Sequence, residues 1–174
     1  MRTYLLVDMK EARGVTGPND VNLGKPAYER FRKLLIRDVK VAMAGAIRGG
    51  ATEILVNKAH DGMRNILTEE LNPKSEMISG FTKPLCMIEG MDKSFRAGFL
   101  VVHRARAGAE AGISNHTLFG RTIVNTKINE DLVGEAAISS ILAGYFGLSA
   151  VLVTRDDKWQ KKQLICLVTQ GRSW

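Results

Sequence analysis

Four continuous apolar runs, separated by stretches of helical periodicity, leave this chain few ways to fold. Thr-Tyr-Leu-Leu-Val at 3–7, Thr52 to Val56, Ala97 to Val102 and Ser149 to Thr154 show no alternation of apolar and polar residues. Strands of that kind are buried on both faces, which is the signature of a parallel sheet sandwiched between helices. From about Ala27 to Arg48 the residues Phe31, Leu34, Leu35, Val39, Ala42, Met43, Ala46 and Ile47 recur at helical spacing, and Gly49-Gly50 predicts the stop. A short helix is expected from Met63 to Leu71, closed by Asn72-Pro73, with a small strand at 76–79. Two strands near 117–128, a helix over 134–146, a short basic helix and a last strand from about Leu164 to Thr169 complete the reading. The predicted fold is α/β: a largely parallel β-sheet covered by helices on both faces, three layers in a single domain over 1–174.

The 174 residues suffice for one buried core, and the apolar fraction of 45% with 25% charged residues is that of a globular protein. No apolar run reaches the roughly 18 residues that span a bilayer, so no membrane partner is expected. The opening segment reads as a first strand running into Asp8, not as a signal peptide. Cys86 and Cys166 lie far apart without metal-type spacing, which points to a reducing, cytoplasmic setting. The net charge of +7 raises nucleic acid as a partner. However, the lysines and arginines are scattered, and no aromatic side chains interleave with them as a stacking platform would need. A solvated basic surface is the expectation.

In sheets of this class, functional groups collect beyond the carboxyl ends of the strands. Those ends carry Asp8, Lys10 and Glu11; Lys58 and His60; His103 and Arg104; Arg155, Asp156 and Asp157. All three histidines of the chain, His60, His103 and His116, fall at a strand end or in the loop beyond one. Polar residues follow buried strands for topological reasons too; these positions are read as a site.

The same segments resemble a known family. Val-Asp-Met at 7–9, Leu-Val-Asn at 55–57 before His60, Ile-Ser-Gly at 78–80 and Met-Ile-Glu-Gly-Met-Asp at 87–92 with Phe95-Arg96 are similar to the DppA-like zinc D-aminopeptidases. So are Ala105-Arg106-Ala107-Gly108, Gly-Ile-Ser-Asn-His-Thr at 112–117 and Val-Gly-Glu at 133–135, in matching order and spacing. The resemblance implies a zinc hydrolase that removes D-amino acids from the amino end of short peptides and works as a ring-shaped homo-oligomer. It also implies a longer chain, so that 1–174 would lack the family's carboxyl-terminal portion. The family's metal ligands are an Asp-x-Glu after the first strand, the His of an Asn-Asp-x-His stretch, a His after the third strand and a Glu in a Gly-Glu turn. The His of a His-Thr pair is its proposed catalytic group. Asp8, His60, Glu135 and His116 match these positions.

Four positions depart from the pattern, each to a cation: Lys10, Lys58, Arg104 and Arg155. Protonated Lys and Arg offer donors and no lone pair, and a dinuclear zinc site already brings about +4 of charge. Cations at those places oppose metal binding, so the reading expects no cofactor, with ammonium and guanidinium groups in the place of the metals. A one-residue bulge in two loops would instead restore zinc through Asp8, Glu11, His60, His103 and Glu135. His116 and Glu135 are expected to move protons. Lys10 and Lys58 act either as desolvated amines or as salt-bridge partners of Asp8 and Glu135. Arg104, with His103 and Arg155, would grip a substrate carboxylate. The function expected is a metal-independent enzyme acting on an amino-acid-like or carboxylated small molecule by amide or amine chemistry. A non-catalytic scaffold and a retained zinc D-aminopeptidase are the alternatives. A homo-oligomer is expected in each case.

Overall fold

The structure, a computed structural model, describes residues 1–103, 107–108, 116–120 and 122–154. Five parallel strands form one sheet in the order β3-β2-β1-β4-β7: β1 (Arg2–Val7), β2 (Glu53–Lys58), β3 (Ser75–Ile78), β4 (Phe95–Val101) and β7 (Ala150–Val153). The long helix α2 (Tyr28–Arg48) joins β1 to β2, after a one-turn helix α1 (Pro18–Val21). Helix α3 (Glu135–Tyr145) precedes β7, and the two-residue strands β5 (Lys127–Ile128) and β6 (Asp131–Leu132) form a small antiparallel ribbon before it.

The apolar runs serve two cores at once. Leu5 and Val7 of β1 and Ile54 and Val56 of β2 pack with Phe31, Leu35, Val39 and Met43 of α2. Tyr4 and Leu6 of β1 and Leu55 of β2 point the other way, toward Ala136 and Ala143 of α3 and Met87 and Ile88 of a single 3₁₀ turn (Cys86–Ile88). Successive side chains of a strand face opposite sides of the sheet, so a strand covered on both sides must be apolar throughout. This is the three-layer arrangement the sequence predicts. The stop of α2 is also as expected: Gly50 adopts φ +91°, a conformation costly for any residue with a Cβ, and the next N–H, of Ala51, returns to the Ala46 carbonyl at 2.9 Å.

Two expectations need correction. The helix expected over Met63–Leu71 is only a 3₁₀ turn at Thr68–Glu70, because Asp61 and Met63 take positive φ and begin the segment as a turn. Of the two strands expected near 117–128, only β5 falls there among the described residues, and the N–H groups of Phe119, Thr122 and Ile123 instead close turns onto the Thr117 and Phe119 carbonyls. The basic helix and the strand expected at 164–169 lie outside the described residues.

The register decides where the site lies. Val7 pairs with Lys58 on one side and with Val101 on the other, so β1, β2 and β4 end level. The ladder continues one step further, through Asp8 N–H to the Val101 carbonyl at 3.2 Å and Ala59 N–H to the Val7 carbonyl at 2.8 Å. Asp8, Ala59-His60 and Val102-His103 therefore leave the sheet along one edge. The chain departs from β1 toward β2 on one side and later returns to β4 on the other, and an α/β sheet opens a crevice at such a point.

Candidate active site

A cleft of about 550 Å³ opens at that edge, with Asp8, Lys10, His60 and Glu135 among its lining residues. Side-chain parity brings Asp8 there. It follows Tyr4 and Leu6 on the α3 side of β1, and it stays buried at 3% exposure. Its Oδ1 accepts the N–H of Met9 at 2.5 Å and that of Lys10 at 3.3 Å, a local turn that fixes the carboxylate.

His60 is 2% exposed and makes two contacts. Its Nε2 lies 2.9 Å from the Val21 carbonyl, which can only accept, so Nε2 carries the hydrogen. Its Nδ1 is then a lone pair. It makes no hydrogen bond among the described residues, and it stands 3.1 Å from Asp8 Oδ1. Two electron-rich atoms at that distance require a cation between them, either a proton or a metal ion.

Lys10 reaches into the same cleft and places Nζ 2.7 Å from His116 Nε2. An ammonium can only donate, so in this pair His116 accepts at Nε2. His116 is held from behind by Gly120: a Cβ at position 120 would lie 2.8 Å from His116 Cβ and 3.1 Å from its Cγ. Glu135 begins α3, where a carboxylate suits the helix dipole. Its Oε1 accepts the N–H of Leu118 at 2.8 Å and ties the 116–120 segment to the helix.

Lys58 does not join this group. It falls on the α2 side of the sheet with Ile54 and Val56, the side opposite Asp8. Its ammonium donates to the Ile66 carbonyl at 2.6 Å and to Ser79 Oγ at 3.3 Å. Burial, with Arg32 nearby, pulls its pKa down to about 8. Lys58 was expected at the site either as a desolvated amine or as a salt-bridge partner of Asp8 or Glu135; strand parity turns it to the other face of the sheet. His103 is wholly buried beyond β4, its N–H bonded to the Thr154 carbonyl at 3.0 Å, and it does not line the cleft. Glu11 is half-buried, in the turn after Lys10. Arg104 and Arg155 lie outside the described residues.

Sequence reasoning missed several contributors. The Val21 carbonyl orients His60, and no side-chain pattern announces a backbone acceptor. Lys83 bonds Asn57 Oδ1 and the Lys58 carbonyl, both at 2.5 Å, and so docks the loop whose Phe81 and Cys86 line the cleft. Burial holds the Lys83 amine down to about 8. Phe81, Leu118 and Phe119 give the cleft an apolar rim.

The zinc implied by the family fits the Asp8–His60 pair. A metal-bound imidazole characteristically donates its second ring N–H to a carbonyl or carboxylate, as His60 does to Val21. Zinc takes imidazole nitrogen and carboxylate oxygen at about 2.0–2.2 Å each, so the two donors on one ion stand close to the observed separation. Among the described residues no group of three His, Cys, Asp or Glu side chains is gathered at metal-binding spacing.

Comparison with known proteins agrees with this chemistry. The family profile described as D-aminopeptidase matches residues 1–167. A D-aminopeptidase of Bacillus subtilis (strain 168) is 35% identical over 162 residues, which is 93% of this chain and 58% of that protein. The chain thus spans less than two thirds of the curated relative's length. The solved structure of DppA from Bacillus subtilis, described as a Zn-dependent D-aminopeptidase and a self-compartmentalizing protease, superposes with a TM-score of 0.87 at 34% identity. The match covers 91% of this chain and 57% of that one. The expectation of a site without a cofactor is overturned by this Zn-dependent relative; of the two lysines thought to oppose a metal, Lys58 faces away from the cleft and Lys10 bonds His116. From its sequence, its fold and its residues 1–167, this chain belongs to the D-aminopeptidase family.

Proposed function

We propose that the chain is a zinc-dependent aminopeptidase that releases D-amino acids from the amino end of short peptides, with Asp8 and His60 as metal ligands. The observation that carries this reading is the buried His60 Nδ1, aimed at Asp8 with Nε2 committed to the Val21 carbonyl. Zinc bound there would supply the Lewis acid that polarises a scissile carbonyl. The protein's own groups do the rest. The hydrogen bond between Lys10 and His116 holds a proton at the cleft, 2.7 Å from donor to acceptor, where a departing amine needs one. Glu135 fixes the segment that carries His116 through the Leu118 N–H. The apolar rim formed by Phe81, Leu118 and Phe119 limits water around the reacting bond.

The test is hydrolysis of D-Ala and L-Ala tripeptides by zinc-loaded protein. Stereoselective release of D-Ala is expected, with His116→Ala lowering kcat at least 100-fold while zinc stays bound. Equal turnover of both series, or none of either, overturns the reading. We also infer a homo-oligomer. The self-compartmentalizing relative supports it, as do the exposed apolar side chains Val41, Tyr145 and Val151. Light scattering at micromolar concentration checks it.

A further inference from the structure

Two sources of positive charge converge on the cleft. The first is the cation that Asp8 Oδ1 and His60 Nδ1 require between them. The second is covalent. The turn in which Asp8 Oδ1 accepts the N–H groups of Met9 and Lys10 sends the Lys10 side chain into the same cleft, where its ammonium donates to His116.

This arrangement limits what else can bind. A second divalent ion beside the first would need its own lone-pair donors. Lys10 offers none, and its ammonium uses the His116 Nε2 lone pair. The charge balance points the same way, because an ammonium and two divalent ions in one partly dry cleft repel strongly.

The geometry points to a site for one divalent ion per chain, held by Asp8 and His60, in which the Lys10 ammonium occupies the neighbouring cationic place and excludes a second ion. This rests on the zinc reading above. It makes Lys10 a fixed positive charge at a place where other sites of this chemistry would bring an exchangeable metal. It also couples that charge to His116 by a direct hydrogen bond.

The experiment is zinc stoichiometry, measured by elemental analysis after dialysis and by calorimetric titration of chelator-stripped protein. Wild type is expected to hold one equivalent, and Asp8→Asn is expected to lose it. Lys10→Glu adds a carboxylate and releases His116, so it is expected to bind a second equivalent. Lys10→Ala removes the charge without adding a ligand, and its second-ion affinity should rise at least tenfold over wild type. Two equivalents in the wild type overturn the single-ion site while leaving the zinc reading intact. So does a folded Lys10→Glu or Lys10→Ala whose second-ion binding is unchanged. Zero equivalents in the wild type overturn the zinc reading itself.

Discussion

His60 turns Nδ1 toward Asp8 Oδ1 at 3.1 Å because Nε2 is bonded to the Val21 carbonyl, so a one-turn helix between β1 and α2 sets the tautomer of a histidine nearly forty residues later. Asp8→Asn keeps the shape and removes the anion. It should weaken zinc binding by at least 100-fold, in line with loss of a charged ligand, and activity should fall in parallel. Chelator competition monitored by a zinc-sensitive dye measures the first, and peptide hydrolysis the second. Equal zinc affinity in both proteins would remove Asp8 from the site.

Gly120 is predicted to matter through His116 alone. The added methyl of Gly120→Ala would meet the His116 Cβ and Cγ and push the ring from Lys10. Overpacking of this kind costs about 1–3 kcal/mol. The expected signature is a 10- to 100-fold drop in kcat/KM with the zinc content unchanged. A variant as active as the wild type would show that the His116–Lys10 contact does not serve turnover.

Asn57 ties the sheet to the cleft loop. Fully buried, it donates Nδ2 to Tyr4 Oη at 2.8 Å and to the Met87 carbonyl at 2.7 Å, and its Oδ1 accepts from Lys83. Asn57→Leu removes one acceptor of the half-buried Lys83 ammonium and the donor to the Met87 carbonyl and the Tyr4 hydroxyl. A loss of about 2–5 kcal/mol is expected in urea unfolding. A loss below about 1 kcal/mol would mean that water replaces the side chain.

Lys58 predicts a pH dependence of stability. Its folded pKa, about 8, lies below the ordinary lysine value of 10.5, chiefly through burial, with Arg32 adding and Glu69 opposing. Between those values the unfolded chain binds more protons than the folded one, so this group makes stability rise with pH across that window. Below pH 8 both states are charged and the full desolvation cost is present. Lys58→Met should therefore flatten the stability profile between pH 8 and 10.5 relative to wild type. Parallel profiles for the two proteins would contradict the burial of the charge.

Much of the site was legible because strand ends are legible. Asp8, Lys10, His60, His116 and Glu135 were all picked from the sequence, and the structure gathers them at one cleft. Lys58 was placed there too, by alignment with a metal-site position. Its parity with Ile54 and Val56 already put it on the other face, a signal that period-two reasoning carries and resemblance does not. The role of Gly120 and the acceptor at Val21 were not legible, since a close approach and a backbone carbonyl leave no residue pattern of their own.

The sequence by itself determined the layers. Uninterrupted apolar strands cannot be solvated on either face, and the long helical stripe from Phe31 to Met43 can cover only one of them, so a sandwich of helices around parallel strands was the arrangement left. Local chemistry likewise set where α2 stops and why Asp8 sits in a turn. Only the tertiary structure decided which polar groups meet. The level register of β1, β2 and β4, the return of the Val21 carbonyl to His60 and the docking of the 116–120 segment on Glu135 are contacts between residues far apart in the chain. Their distances depend on how packed elements come to rest against one another. Whether Lys10 would oppose a metal, pair with a carboxylate or turn to a histidine was a question of ångströms, and a pattern of residue types does not carry that scale.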